Sequence, residues 1–326
     1  MKTALVCGGH GFIGHHLARE LKSMGYWVRT VDIKEFEYGD LNIDDQVIGD
    51  LREPDLCSRI VWTKDNRPFD EVYQLAADMG GAGFVFTGDN DADIMHNSAI
   101  INLNMADACK FSKVGKVFYS SSACMYPSRL QDKETGCSLS EDMAYPAGPD
   151  SEYGWEKLFS EHLYFSYARN YGLNVRIARF HNIFGPEGSW KGGREKAPAA
   201  ICRKIAETPD GGSIDIWGDG NQTRTFLYVD ECVEGILRLV SSDFIGPVNI
   251  GSDELVSINK MVEMVKEVSG KKNIQVNHIE GPVGVRGRCS DNTLIEKKLG
   301  WSPRYSFYRG LRKTYPWIEK MVNGEK

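Results

Sequence analysis

The side chains of this chain best suited to moving protons are Tyr153 and Lys157, four apart in YGWEK, and Cys124, set in SSSACMYP at the end of an apolar run. A four-residue spacing puts a phenol and an ammonium on one face of a helix. A phenol ionises only near pH 10, so it works as a base at neutral pH when a cation stands beside it, and Lys157 is expected to be that cation. A thiol ionises near about pH 8.5 and can exchange a proton at a carbon already acidified by a neighbouring ketone. Inverting such a carbon through a planar enolate requires removal of a proton on one face and return on the other. A second group is therefore needed, and WKGGREKAPAA (190–200) offers Lys191, Arg194 and Lys196, although a loop of that composition also suits a diphosphate.

The N-terminal part supplies a place for a hydride acceptor. CGGHGFIG (7–14) follows a short apolar run and opens an amphipathic stretch, so Gly8, Gly11 and Gly14, with Phe12 and Ile13 entering the helix, form a turn that lets backbone approach a pyrophosphate. Asp32 closes the second apolar run, where a carboxylate binds ribose hydroxyls and repels a 2′-phosphate, favouring NAD over NADP. Asp50 and Leu51 are placed to contact the adenine. The positive ring of bound NAD⁺ would add to Lys157 in lowering the Tyr153 pKa.

These groups need a scaffold. Strand-like runs at 71–77, 116–122 and 174–180 alternate with helical periodicity at 97–112 and 153–170, which predicts a Rossmann-type doubly wound parallel sheet covered on both faces. Beyond Phe180 the chain becomes Gly-, Pro- and Lys-rich, then mixed. The expected organisation is a dinucleotide-binding domain of residues 1–180 plus about 225–250, with a smaller mixed α/β substrate-binding lobe of about 181–224 plus 251–326. A net charge of −6 argues against a nucleic-acid surface. Eight cysteines without a C-x-x-C pair suit reduced thiols, mostly core filler, rather than a disulfide framework or metal site. No apolar run approaches a membrane span and the chain starts on a strand, so a cytoplasmic protein with no membrane or metal partner is expected.

Taken with the glycine turn and QLAA (74–77), the SSS and YxxxK elements resemble the extended short-chain dehydrogenase/reductase family over nearly the whole chain. The resemblance implies Ser122, Tyr153 and Lys157 as the hydride-transfer set, Leu75, Ala76 and Ala77 as cofactor contacts, and Asn104 as support for the active-site helix. It also implies a sugar-nucleotide substrate, and a homodimer formed by a four-helix bundle of helices 97–112 and 153–170. The dehydratase branch carries an Asp-Glu pair after the serine; here Ala123-Cys124 stand there, so the acid for dehydration is missing and a thiol occupies the other position.

Longer strings, QLAADMGGAGF, SSACMYP, RFHNIFGPEGSWKGGREKAPAA, WGDGNQTRTF and GVRGRCSDN, resemble the GDP-mannose 3,5-epimerase family. That resemblance implies Cys124 and Lys196 as the acid/base pair. It further implies substrate contacts at Gly80, Ser122, Ala123, Cys124, Asn182, Glu195, Lys196, Ala197, Lys204, Gln222, Thr223, Arg224 and Arg286, with Lys204, Arg224 and Arg286 forming a diphosphate clamp. The departure is the acidic segment 86–96, expected to be a rim loop, and His181 is expected to belong to a polar network. The implied reaction converts GDP-D-mannose to GDP-L-galactose, with GDP-L-gulose as a further product. Tyr153 takes the C4 hydroxyl proton as hydride passes to NAD⁺, Cys124 (base) and Lys196 (acid) exchange protons at C3 and C5, and the hydride returns to C4. The alternatives are an epimerase or C4-oxidising enzyme acting on another GDP-sugar such as a GDP-heptose, and a redox-sensing protein that keeps the fold without turnover.

Overall fold

A computed structural model describes residues 1–136 and 138–324; Cys137, one of the eight cysteines, lies outside the described residues. The N-terminal half alternates short strands and helices: β1 (Thr3–Cys7), α1 (Phe12–Ser23), β2 (Trp27–Asp32), β3 (Asp45–Ile48), α2 (Pro54–Ile60) and β4 (Glu71–Gln74). There follow α3 (Ala82–Val85), α4 (Asp91–Ser112), β5 (Lys116–Ser122), β6 (Ser138–Leu139), α5 (Glu152–Tyr171) and β7 (Val175–Phe180). The remainder runs β8 (Ile183–Phe184), α6 (Ala197–Glu207), β9 (Ser213–Trp217), β10 (Thr223–Thr225), β11 (Leu227–Tyr228), α7 (Val229–Ser241) and β12 (Val248–Ile250). It ends with β13 (Leu255–Ser257), α8 (Ile258–Ser269), β14 (Gln275–Ile279), β15 (Gly287–Ser290), α9 (Thr293–Leu299) and α10 (Phe307–Val322).

Seven parallel strands form the main sheet in the order β12-β7-β5-β4-β1-β2-β3. The doubly wound fold expected from the alternation is the one observed. Every residue of β1 and β4 is buried, as helices on both faces require, including the polar Thr3, Glu71 and Gln74. One face packs Leu17, Leu21 and Ile236 of α1 and α7; the other packs Leu56, Met105 and Tyr164 of α2, α4 and α5. The first of these cores continues without a break into Ile201, Ile214 and Phe307 of the smaller lobe, so the lobe shares the core of the sheet. A mixed four-stranded sheet, β13-β10-β15-β6, lies in that lobe and takes β6 from the N-terminal half.

Two elements differ from expectation. The edge strand β3 was not foreseen: DQVI holds only two apolar residues and is exposed at alternate positions, so no extended apolar run marks it. Part of the 86–96 segment is helix, because α4 begins at Asp91, where Asp91 and Asp93 complement the positive end of the helix dipole. Its acidity therefore reflects a helix start rather than a loop.

Candidate active site

In an open parallel sheet the chain reverses its direction of winding where β1 meets β4, and ligands bind beyond the carboxyl ends of the strands at that point. The loops after β1, β4, β5 and β7 all empty into one cleft of about 1330 Å³. At one end of it the glycine turn is tight. A Cβ on Gly14 would lie 2.0 Å from Gly8 O, and one on Gly8, whose φ is +73°, would lie 2.9 Å from Ala76 N. Asp32 accepts from the His10 backbone N–H (3.0 Å) and from that of Lys34 (3.3 Å), which fixes its carboxylate at the mouth of the turn. The His10 ring bridges Lys34 O (2.7 Å) and Thr30 Oγ1 (3.0 Å), a support that a motif read for its glycines does not reveal. Gly8, Gly11, Phe12, Ile13, Gly14, Asp32, Asp50, Leu51, Leu75, Ala76 and Ala77 all line this end. Asp50 is engaged by Arg52, whose hydrogen bonds hold its carboxyl below the usual range. The close backbone approach and the fixed carboxylate fit a dinucleotide.

The middle of the cleft carries Tyr153 and Lys157 on α5, capped by Ser151, and Ser122 at the end of β5. Lys157 is 2% exposed; its amino group donates to Ser120 O (3.2 Å), lies 3.8 Å from Glu156 and sits 5.6 Å from the centre of the Tyr153 ring. The expected lowering of the Tyr153 pKa is not what the protein alone produces. Burial pushes the phenol well up, Cys124 adds to the rise, and the hydrogen bond with Ser122 opposes it. Lys157 is itself buried, which lowers its own pKa, and lies beside Glu156. Asn104 does not support the active-site helix: it donates to the carbonyls of Leu51 and Arg52 (3.1 and 3.0 Å). That role falls to buried Asn102, one half-turn away, which bonds Gln74, Glu156 and Ser160.

Cys124 follows in a single 3₁₀ turn, Ala123–Met125, whose first N–H bond is capped by Ser122 Oγ (3.2 Å). This turn lies against α5 at Gly154, where a Cβ would meet Cys124 O at 2.2 Å, so the glycine inside YGWEK brings the thiol and the phenol together. Arg288 of β15 reaches across to Cys124 Sγ at 3.0 Å. Its Nη2 pairs with Asp150 (2.8 Å) and its Nε with Gln131 (2.5 Å). Lys196, the residue before α6, lines the same cleft; burial lowers its pKa, while Cys124 and Cys232 work against that shift. Its loop is fastened to the loop after β4: the Gly81 N–H donates to Arg194 O (3.0 Å), and the Arg194 guanidinium pairs with Asp78 (3.0 Å) and lies 3.9 Å over the Phe84 ring. Glu195 accepts from the Gly193 N–H (2.7 Å), and Lys191 lies over Trp190.

Gly80, Asn182, Ala197, Lys204, Gln222 and Arg224 also line the cleft, whereas Thr223 and Arg286 do not. Thr223 turns its hydroxyl to Glu134 O (2.5 Å), and Arg286 is held by Glu134 and Asp219 (3.0 Å) at the exposed edge. Lys204 donates to Asp215 O (2.5 Å) and Arg224 to the carbonyls of Val283 (3.2 Å) and Val285 (2.6 Å), so the three basic residues expected to clamp a diphosphate are each engaged within the protein. His181 is fully buried against Asn249 (3.0 Å) and burial lowers its pKa to about 3, as suits a neutral member of a polar network. Sequence reasoning missed Arg288. No local pattern marks it: β15 begins at Gly287, and Arg286, two residues earlier, lies outside the cleft.

Comparison with known proteins places this geometry in context. Residues 4–251 match the model of the NAD dependent epimerase/dehydratase family. GDP-mannose 3,5-epimerase of Arabidopsis thaliana is 48% identical over 98% of this chain and 83% of its own length. GDP-mannose 3,5-epimerase 1 of Oryza sativa subsp. indica is 47% identical over 98% and 82%. Among solved structures, UDP-glucuronic acid 4-epimerase from Bacillus cereus, in complex with UDP-glucuronic acid and NAD, is 28% identical with a TM-score of 0.82, covering 98% of this chain and 99% of that one. UDP-glucose 4-epimerase from Thermotoga maritima, with UDP-glucose, gives 26% and 0.85 over the same shares.

Proposed function

The chain belongs to the NAD dependent epimerase/dehydratase family, and with 48% identity to a GDP-mannose 3,5-epimerase as the second premise, we propose that it is an NAD-dependent isomerase converting GDP-D-mannose to GDP-L-galactose. The observation that carries this reading is that Tyr153, Cys124 and Lys196, from three separate elements, line one cleft with the glycine turn. The non-ionisable Ala123 stands beside the thiol and leaves dehydration without an acid.

Bound NAD supplies the acceptor and donor of hydride at C4, and its positive ring opposes the burial that raises Tyr153. Gly8, Gly11 and Gly14 hold its pyrophosphate against backbone N–H groups, and Asp32 its ribose. Tyr153 then takes the C4 hydroxyl proton, with Ser122 donating to the developing oxygen and Lys157 supplying charge. The resulting C4 ketone acidifies C3 and C5. Cys124 removes a proton from one face and Lys196, a better acid for its lowered pKa, returns one on the other. The adjoining loop residues Gly80, Asn182, Glu195 and Ala197 frame the sugar, and Lys204, Gln222 and Arg224 the diphosphate. Thr223 and Arg286 lie outside the cleft, and Arg286 would contact the diphosphate by giving up Glu134 or Asp219 for a phosphate oxygen.

The protein works as a cytoplasmic homodimer in this reading. Phe111 (73% exposed) on α4 and Trp155, Phe159 and Tyr171 (57% exposed) on α5 leave apolar surface on the packed α4–α5 pair that a second copy would cover. No described helix is long and apolar enough to cross a membrane. Light scattering is expected to give twice the chain mass, and a monomer at micromolar concentration contradicts the dimer. The function itself is tested by incubating the NAD-loaded protein with GDP-mannose and reading the sugars by NMR. GDP-L-galactose is expected; an unchanged substrate, with turnover of a GDP-heptose instead, assigns the alternative substrate.

A further inference from the structure

We propose that Glu187 is the cofactor-retention residue of this chain: its carboxylate, held by His15 and Arg19 of α1, fastens the loop after β8 across the glycine turn, so that the cofactor stays in place through proton exchange. For the fate of the C4 ketone the proposal rests on the functional reading above; for retention it requires only that the chain binds NAD.

The loop runs from Gly185, after β8, to Lys196, before α6, and its two ends serve different parts of the cleft. At the near end Gly185, Glu187 and Gly188 line the cleft together with Gly11, Phe12 and Tyr38. A Cβ on Gly188 would lie 3.1 Å from the Phe12 ring and one on Gly185 3.4 Å from it, so the loop packs directly on the residue that opens α1. The far end delivers Lys196.

Side chains from α1 and from the segment after β2 hold the near end down. His15 and Arg19 are four apart on a helix and share a face. Glu187 Oε2 lies 2.6 Å from Arg19 Nη1 and 3.1 Å from His15 Nε2. His15 is fully buried and turns its Nδ1 to Gly11 O (2.8 Å), so one side chain joins the glycine turn to the loop. His16 Nε2 meets Pro186 O (3.2 Å), and the Tyr38 hydroxyl donates to Gly188 O (3.2 Å). The Arg19 guanidinium is seated 5.2 Å from the centre of the Phe36 ring.

Glu187 holds this place against its own backbone. It follows Pro186 in a turn with a φ of +60°, a conformation that suits glycine and is uncommon for a residue with a Cβ. Such a conformation persists where the surroundings over-determine it. The carboxylate supplies that constraint: burial raises its pKa, but the bonds from His15 and Arg19 outweigh the rise and lower it to about 2, so the group is charged at neutral pH. A glycine would relax the turn and lose the latch.

Retention matters because the cycle has no net redox change. Hydride taken from C4 must wait while protons exchange at C3 and C5, and then return to the same sugar. If the loop opened in that interval, a 4-keto sugar and free NADH would result, the C4–H electron pair leaving as hydride and the hydroxyl proton passing through Tyr153 to solvent.

The test loads the parent protein and Glu187→Gln with radiolabelled NAD, chases with excess unlabelled NAD and filters at intervals. Release from the variant is expected to be about 10- to 100-fold faster, the worth of hydrogen bonds between charged groups. With GDP-mannose in deuterium oxide, the variant should put NADH fluorescence into the filtrate with an equal amount of C4 ketone, trapped by borodeuteride. Added NAD should restore its deuterium gain at C3 and C5, which it would not do for a merely loosened fold. Release within about twofold of the parent, or a loss of deuterium gain that saturating NAD leaves unrepaired, overturns the proposal. If Glu187→Gln does not fold, Arg19→Gln decides: release about tenfold faster supports the latch, and the parent rate overturns it. A parent protein that gains no deuterium with GDP-mannose contradicts the epimerase reading alone, since the chase with labelled NAD involves no sugar.

Discussion

At the dinucleotide end of the cleft Gly8, Gly11 and Gly14 come from one short string, whereas at the sugar end Cys124, Lys196 and Arg288 arrive from the turn after β5, the loop before α6 and a strand of the second sheet. The first end is made by backbone that no side chain obstructs. The second is made by side chains that hydrogen bonds across segments must hold in place. Binding can tolerate small shifts of such groups, but proton transfer at a defined face of a ring cannot. The comparison teaches that the two ends should fail differently: lesions at the glycine end should remove cofactor, and lesions at the sugar end should leave cofactor bound and stop epimerisation.

The largest effect expected at the sugar end is that of Cys124→Ala. Loss of the base should reduce deuterium gain at C3 and C5 by about 10²- to 10⁴-fold while trapped C4 ketone persists. Ketone loss of the same size would mean that the thiol serves the hydride step too. Gly154→Ala attacks the same end through the backbone, since its Cβ would sit 2.2 Å from Cys124 O and push the turn off α5. Deuterium gain should fall by about 100-fold with NAD content unchanged, as mass spectrometry of the native protein can verify. At the other end, Asp32→Ala should weaken NAD by about 10- to 100-fold, the worth of hydrogen bonds to a charged group, and narrow the preference over NADP; calorimetry reads both.

The smallest expected effect falls between the two ends, on stability. Burial lowers the pKa of His181 to about 3 and that of His16 to about 4 from an ordinary value of 6.5. Below pH 6.5 the unfolded chain takes up protons that the folded one refuses, so the folded state loses stability as the pH falls toward those values. From pH 6.5 to pH 5 the loss should be roughly 2 kcal/mol for each histidine. Urea titrations at the two pH values measure it, and His181→Asn should remove about half of the difference; an unchanged pH dependence would show that His181 charges in the folded protein.

Much of this contrast was legible in the sequence. The parallel sheet could be read because strand-like runs rich in apolar residues alternate with stretches of helical period, and the glycine turn because its spacing has a backbone reason. Tyr153 and Lys157 could be placed because helical period puts them on one face. What the sequence did not reveal depends on contact between distant segments. Arg288 meets Cys124 and Asp150 because β15 pairs with β10 and β6, which no local period encodes. Asn102 was missed in favour of Asn104 because α4 is buried over much of its surface and its apolar pattern is weak, so the face turned toward α5 is not evident. The rise that burial gives the Tyr153 pKa in the protein alone was hidden for the same kind of reason: a lysine four residues away is visible in the sequence, the burial of both groups is not.

Proton exchange at the carbons flanking C4 is measured most directly by the NMR spectrum of GDP-sugar recovered from the NAD-loaded protein in deuterium oxide. Deuterium should appear at both C3 and C5, with GDP-L-galactose among the products and none at C4. Sugar recovered with hydrogen intact at C3 and C5, or inverted at C4 alone, would contradict it.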